Sequence, residues 1–214
     1  MIAAPWLACL EEAWAAYRAG SLPIGAAYAD ASGAVLLRGR NRIDEPRQGP
    51  QLSGSRIAHA EMNVLAQVPP ASHEDMAAGV LYTSLEPCPM CFGAALMCGV
   101  REIRYGARDG WAGAANLTRA TPYLASKAMQ VVGPEPMVQT VSLVLQTDAW
   151  LRRASPRSAD VVAAFAAEDA AAVALGRALY ASGRLKDAAL CGVPVADIAA
   201  DVLRALGRPP AEAF

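Results

Sequence analysis

The order of predicted elements makes this chain an α/β protein, and three observations carry that reading. Two short apolar runs meet across a turn-forming Asp-Ala-Ser-Gly sequence; strand, helix and strand alternate through the middle of the chain; an alanine-rich tail then favours helix throughout. The 214 residues have room for one full domain plus an appendage. With 54% hydrophobic and 18% charged residues, the chain can pack a core and lacks the charge excess of a disordered polymer.

Residues 2–19 place Ile2, Trp6, Leu10, Ala13 and Tyr17 at helical spacing away from Glu11 and Glu12, and Gly20 ends the helix. Residues 24–29 and 34–37 form an antiparallel hairpin around Asp30-Ala31-Ser32-Gly33. From 41 to 55 the breakers Asp44, Pro46, Gly49, Pro50 and Gly54 predict a long loop of the kind that shapes a site. A helix at 58–67 stops at Pro69-Pro70, and His73 follows in a polar loop where exposure is expected. A strand at 79–83, a helix at 87–97 opened by proline and a strand at 102–105 give the βαβ rhythm of parallel pairing. A Gly- and Ala-rich loop (106–115) leads to a helix at 117–128, a strand at 129–132 and a helix at 135–153. The breaker sequence around 154–158 divides a domain at 1–154 from a helical extension at 155–214, which carries 19 alanines. Two helices, 159–182 and 194–206, are predicted there.

Charge and cysteine content narrow the function classes. The 19 Lys+Arg against 20 Asp+Glu give a net charge of −1, and residues 1–154 hold 13 of each sign, so nucleic acid is disfavoured as a partner. Against that balance, Arg101, Arg104, Arg108 and Arg119 cluster in one stretch. No apolar run reaches the ~18 residues of a membrane span, and the N-terminus has no basic region before its short apolar stretch. Five cysteines, an odd number, predict free thiols in a reducing cytoplasm.

The chemistry-bearing residues fall in two short motifs. His59-Ala60-Glu61 opens one predicted helix, and Pro87-Cys88-Pro89-Met90-Cys91 opens the next. Cys88 and Cys91, three apart at a helix start, project from one face where the helix dipole favours thiolate. One imidazole and two thiolates suit Zn²⁺ and leave a tetrahedral position for water, which is the pattern of a catalytic site. Glu61 stands close enough to take that water's proton. A closed structural zinc site would need a fourth ligand, and His73, Cys9, Cys98 and Cys191 belong to no second paired motif. A redox Cys pair would leave His59 and Glu61 unexplained.

With Leu81-Tyr82-Thr83-Ser84-Leu85-Glu86 leading into the cysteine motif, and Pro23-Ile24-Gly25-Ala26 earlier, residues 1–153 resemble the cytidine and deoxycytidylate deaminase superfamily. The likeness is greatest to its guanine deaminase and bacterial tRNA adenosine deaminase branch. It implies a three-layer α/β/α sandwich around a mixed five-stranded sheet, one zinc held by His59, Cys88 and Cys91, Glu61 as proton shuttle, and a homo-oligomer, most simply a dimer. Asn41, in Gly39-Arg40-Asn41-Arg42, matches the substrate-binding asparagine of that branch; further substrate contacts are expected from Ala60, Trp111 and Asp109, and a structural hydrogen bond from Glu86. The expected reaction is hydrolytic deamination of the exocyclic amine of a free nucleobase, nucleoside or similar amino-heterocycle by zinc-bound hydroxide, with release of ammonia. The alternatives are a tRNA adenosine deaminase, favoured by Tyr105-Gly106-Ala107-Arg108-Asp109, and a non-catalytic zinc-binding module of the same fold, against which the intact Glu61 argues.

Overall fold

The computed structural model describes residues 2–68 and 75–208. The Pro69-Pro70 stop and His73 lie outside them. The elements run α1 (Ala4–Arg18), β1 (Gly25–Ala29), β2 (Val35–Arg40), α2 (Ala60–Leu65), β3 (Val80–Leu85), α3 (Pro89–Met97), β4 (Glu102–Ala107), α4 (Pro122–Ser126), β5 (Gln130–Val132) and α5 (Pro136–Arg153). Four further helices follow, α6 (Ser158–Glu168), α7 (Ala170–Ser182), α8 (Arg184–Leu190) and α9 (Val195–Ala205). The strands form one sheet in the order β2-β1-β3-β4-β5. Pairing is antiparallel for β1 with β2 and with β3, and parallel for β3 with β4 and β4 with β5, so the sheet is mixed.

Side-chain alternation along the strands builds two cores, one on each face. Ala27, Ala29 and Tyr82 join the cluster under α1 and α5, whereas Ala26, Tyr28, Leu81 and Ile103 join the cluster under α2 and α3. The result is the expected three-layer α/β/α sandwich. Gly39 lets α2 lie close on β2, since a Cβ there would stand 2.7 Å from the Ala60 carbonyl oxygen.

The loop at 41–59 contains no regular element, as its breakers predict, and buried charge holds it in place. Glu45, 6% exposed, accepts two bonds from Arg40 (3.0 and 2.9 Å) and one from Arg42 (3.0 Å). Asn63 Nδ2 ties the same loop down by donating to the Arg40 and Leu52 carbonyls, both at 3.0 Å.

Two helical expectations are corrected. The single helix expected at 117–128 is a 3₁₀ turn at Ala115–Arg119 followed by α4. Pro122 is the cause: it keeps Thr121 extended (φ −139°, ψ 159°), and the Thr121 side chain caps the new helix by accepting from Leu124 N. The helix expected at 159–182 divides at Asp169, whose extended backbone ends α6 and whose carboxylate caps α7 by accepting from Ala172 N at 3.0 Å. Local capping beats alanine propensity here, because a cap satisfies amides that propensity leaves open. Beyond the left-handed Gly183 stands α8, which the sequence reading did not contain.

The helices after residue 154 pack on the outer side of α1 and α5. Val161, Phe165, Val173, Val202 and Leu203 belong to the same apolar cluster as Leu10, Trp14, Val141 and Leu145. Gly176 sets the closest approach, because a Cβ there would lie 2.7 Å from Thr147 Cβ of α5. Trp14 Nε1 donates to the Val193 carbonyl at 2.8 Å, and Ser158 Oγ to the Trp150 carbonyl at 2.7 Å.

Candidate metal centre and catalytic cavity

Local sequence dictates where the three ligands stand. Pro89 restricts Cys88 to an extended conformation (φ −70°, ψ 168°) and opens α3, so Cys88 is the N-cap residue and Cys91 falls in the first turn. His59 holds the same N-cap position of α2 (φ −77°, ψ 160°). Neither side chain caps its helix, which leaves both free to ligate. Because β3 and β4 are parallel, α3 and the loop after β4 emerge at the same edge of the sheet, the carboxyl ends where α/β proteins place their sites.

The three donor atoms form a triangle. Cys88 Sγ lies 3.7 Å and Cys91 Sγ 3.5 Å from His59 Nδ1, and the sulfurs are 3.6 Å apart. Tetrahedral zinc with bonds of about 2.3 Å to sulfur and about 2.0 Å to nitrogen sets sulfur–sulfur edges near about 3.8 Å and sulfur–nitrogen edges near about 3.5 Å. The triangle matches, so the donor set fits Zn²⁺. Among the described residues, no fourth Cys, His or carboxylate joins this cluster.

Electrostatics prepare the site for a cation. Hydrogen bonds from Cys91 and then His59 push the Cys88 thiol down to about 4. Cys91, as the donor in that sulfur pair and a buried group, is pushed up. His59 is raised by its bond to Cys88. These contacts favour thiolate at Cys88, and metal binding would displace the remaining protons.

Glu61 lies one turn-step into α2, 3% exposed, and burial raises its carboxyl pKa. Thr83 Oγ1 stands 3.2 Å from Glu61 Oε1 and 3.0 Å from the Leu85 carbonyl oxygen, so one hydroxyl proton serves both. His59, Glu61 and Cys88 line a cavity of about 140 Å³. Asp109, Trp111 and Ala112 of the loop after β4 line it too.

Asp109 Oδ1 accepts from the Trp111 and Ala112 amides, both at 3.0 Å, and burial raises its pKa against those bonds. Trp111 is 49% exposed. Asn41 and Ala60 are fully buried and do not line this cavity. Asn41 Oδ1 accepts from Ile43 N at 3.2 Å, and among the described residues its Nδ2 has no partner. Glu86 organises the loop: it accepts from Asp109 N (3.2 Å) and Ala115 N (2.9 Å), and a Cβ at Gly113 would stand 2.5 Å from its Oε2.

Sequence reasoning missed the rest of the wall. Gln146 and Trp150 of α5 and Val161 and Phe165 of α6 line the cavity too, with Leu22, Ile24, Leu85 and Glu86. One signal was present: Gln146, Thr147 and Asp148 interrupt the apolar stripe of α5, yet all three are 0% exposed.

Comparison with known proteins agrees with this geometry. Residues 6–107 match the family described as the cytidine and deoxycytidylate deaminase zinc-binding region. The chain is 36% identical over 101 residues to a tRNA-specific adenosine deaminase of Bacillus subtilis, covering 47% of this chain and 58% of that one. It is 31% identical over 100 residues to a cytosine deaminase of Candida albicans, covering 45% and 60%. It therefore spans about three-fifths of the length of these relatives. A solved guanine deaminase from Nitrosomonas europaea superposes with a TM-score of 0.55 at 26% identity, covering 70% of this chain and 84% of that structure. With its ligand triangle at two helix starts, this chain is similar over residues 6–107 to the cytidine and deoxycytidylate deaminase zinc-binding region.

Proposed function

We propose that the protein is a zinc-dependent aminohydrolase that replaces the exocyclic amine of a small amino-heterocycle, a free nucleobase, nucleoside or relative, with a carbonyl oxygen. The observation that carries the reading is the buried Glu61 carboxyl in one small cavity with His59 and Cys88 of the His59, Cys88 and Cys91 donor set. When bound, zinc lowers the pKa of a water towards neutrality and so supplies the nucleophile. His59, Cys88 and Cys91 would hold the metal. Glu61 takes a proton from the attacking water and gives it to the ring nitrogen beside the amine-bearing carbon. It then passes a second proton to the exocyclic nitrogen, so heterocycle amine plus water become heterocycle carbonyl plus ammonia. Burial suits Glu61 to this relay, because it raises the carboxyl pKa and so favours the protonated form that the relay passes through. Asn41, expected to bind substrate, lies outside the cavity and is given no substrate contact, whereas Asp109 and Glu86 hold Trp111 at the cavity wall.

A small substrate is favoured over tRNA by the wall that α6 contributes and by how the arginines are used. Arg104 pairs with Glu102 at 2.6 Å, and Arg108 lies within 4.0 Å of both Glu86 and Glu168, so two of the four cations in the 101–119 stretch already face carboxylates. We assign residues 1–154 as the deaminase domain and 155–214 as an extension that shapes its cavity. A homodimer is proposed as well, supported by the exposed Met97 and Tyr123, which meet at 3.2 Å through Sδ and the phenol oxygen. Among the described residues, no helix is long and apolar enough to cross a membrane, and all five cysteines are free, which supports a reducing, cytoplasmic setting.

Zinc-loaded protein incubated with guanine, adenine, cytosine, cytidine and adenosine is expected to release ammonia from at least one of them. A folded, zinc-loaded sample inert on that panel overturns the reading. Inosine formation in an anticodon stem-loop, suppressed steeply by salt, would replace it with the tRNA activity.

A further inference from the structure

A hydroxyl stands in the middle of the sheet where packing asks for none. Side chains alternate along β3, so Thr83 faces the same side as Leu81, the side that α2 and α3 cover. Backbone pairing with Ala26 of β1 and Tyr105 of β4 fixes Thr83 on the central strand. It is 0% exposed and does not line the cavity. Val has the same branched shape, suits a strand as well and carries no polar atom to satisfy, so the fold gains nothing from the hydroxyl.

What the hydroxyl does reach is Glu61. Thr83 Oγ1 lies 3.2 Å from Glu61 Oε1 and 3.0 Å from the Leu85 carbonyl oxygen, and it has one proton to give. When Glu61 is a carboxylate, the hydroxyl donates to Oε1. When Oε1 carries a proton, that proton donates to Thr83 Oγ1, and the hydroxyl turns its own proton to the Leu85 carbonyl. One carboxyl oxygen therefore stays tethered to the central strand in both states.

We propose that Thr83 is a positioning residue for the deamination: its hydroxyl anchors Glu61 Oε1 through both halves of the proton relay and thereby fixes where the second carboxyl oxygen stands. The inference rests on the deaminase reading. The last torsion of a Glu side chain has a broad minimum, so an unanchored carboxyl plane swings. A group displaced by about 1 Å from the reacting atoms loses on the order of 10²-fold in rate. Thr83 belongs neither to the cavity wall nor to the donor cluster, so its hydroxyl acts on turnover through Glu61 and leaves metal ligation and substrate affinity alone.

The test compares two pairs of zinc-loaded full chains that differ by one hydroxyl: wild type with Thr83→Val, and Thr83→Ser with Thr83→Ala. Zinc content, thermal unfolding, kcat and KM are measured for each, on whichever of guanine, adenine, cytosine, cytidine and adenosine the wild type turns over fastest. Thr83→Val is expected to keep the zinc content and KM of the wild type while kcat falls roughly 10–100-fold. Thr83→Ser restores most of kcat, and Thr83→Ala loses it again. The proposal is overturned if Thr83→Val keeps the wild-type kcat, if Thr83→Ser falls as far as Thr83→Ala, or if the loss lies in KM or in zinc content with kcat per bound zinc unchanged. Should Thr83→Val not fold, the Ser and Ala pair decides alone; failure of both hydroxyl-free chains to fold also overturns it, since the hydroxyl then serves the fold. Any of these results with an active wild type removes the Thr83 assignment only, whereas a zinc-loaded wild type inert on every heterocycle removes the deaminase reading with it.

Discussion

The metal corner of the cavity takes His59, Cys88 and Cys91 from the first turns of two helices, whereas the remaining wall takes Gln146, Trp150, Val161 and Phe165 from helices that follow the sheet. The corner is polar and locally specified: proline before and after Cys88, and a three-residue step to Cys91, place both sulfurs within one helical turn. The wall is mostly apolar and is specified by packing, through the Gly176–Thr147 approach and the shared core of α1, α5 and α6. Metal ligation and the rest of the cavity wall thus rest on different parts of the chain, and substitutions should separate them.

The largest effect is expected at the corner. Cys88→Ala or Cys91→Ala should lose the metal outright, read by elemental analysis, and turnover with it. Glu61→Gln should keep full zinc content while kcat/KM drops roughly 10²–10⁴-fold; near-normal activity would show that the shuttle is elsewhere. Phe165→Ala tests the wall. It should leave zinc bound, cost about 3–5 kcal/mol of stability in denaturant unfolding, and raise activity on larger heterocycles relative to smaller ones. If it strips the metal, corner and wall are not separable. Glu86→Ala leaves the Asp109 and Ala115 amides without their acceptor, and should cost roughly 1–3 kcal/mol and speed hydrogen exchange at those two positions.

The smallest effect belongs to the cap of α7. Burial pushes the Asp169 carboxyl up, but Arg208 and the Ala172 amide outweigh it and hold the pKa below its ordinary 3.8. A depressed folded value means the contribution is present above the unfolded pKa and fades as pH falls through the folded one. Asp169→Ala should therefore cost about 1 kcal/mol at neutral pH, and the difference in melting temperature from wild type should shrink in acid.

Much of the sheet and the whole metal corner were legible in the sequence because their signals are local. The hairpin around Asp30 to Gly33, the βαβ order and the two ligand motifs each sit within a few residues of one another. The Asp169 break was not legible as a break, because alanine on both sides hides a cap that only the hydrogen bond to Ala172 reveals. Gln146 was not singled out in the helix at 135–153; its bond to the Pro23 carbonyl joins positions far apart along the chain. Glu86 was anticipated as a backbone acceptor, yet its partners in the loop after β4 follow from the parallel pairing of β3 with β4.

Zinc-edge X-ray absorption on the purified protein tests the open three-ligand centre most directly. The expected spectrum has two sulfurs at about 2.3 Å, one imidazole nitrogen at about 2.0–2.1 Å and one further light atom from solvent. Absence of zinc from folded protein, or a third sulfur or second imidazole closing the coordination sphere, would contradict it.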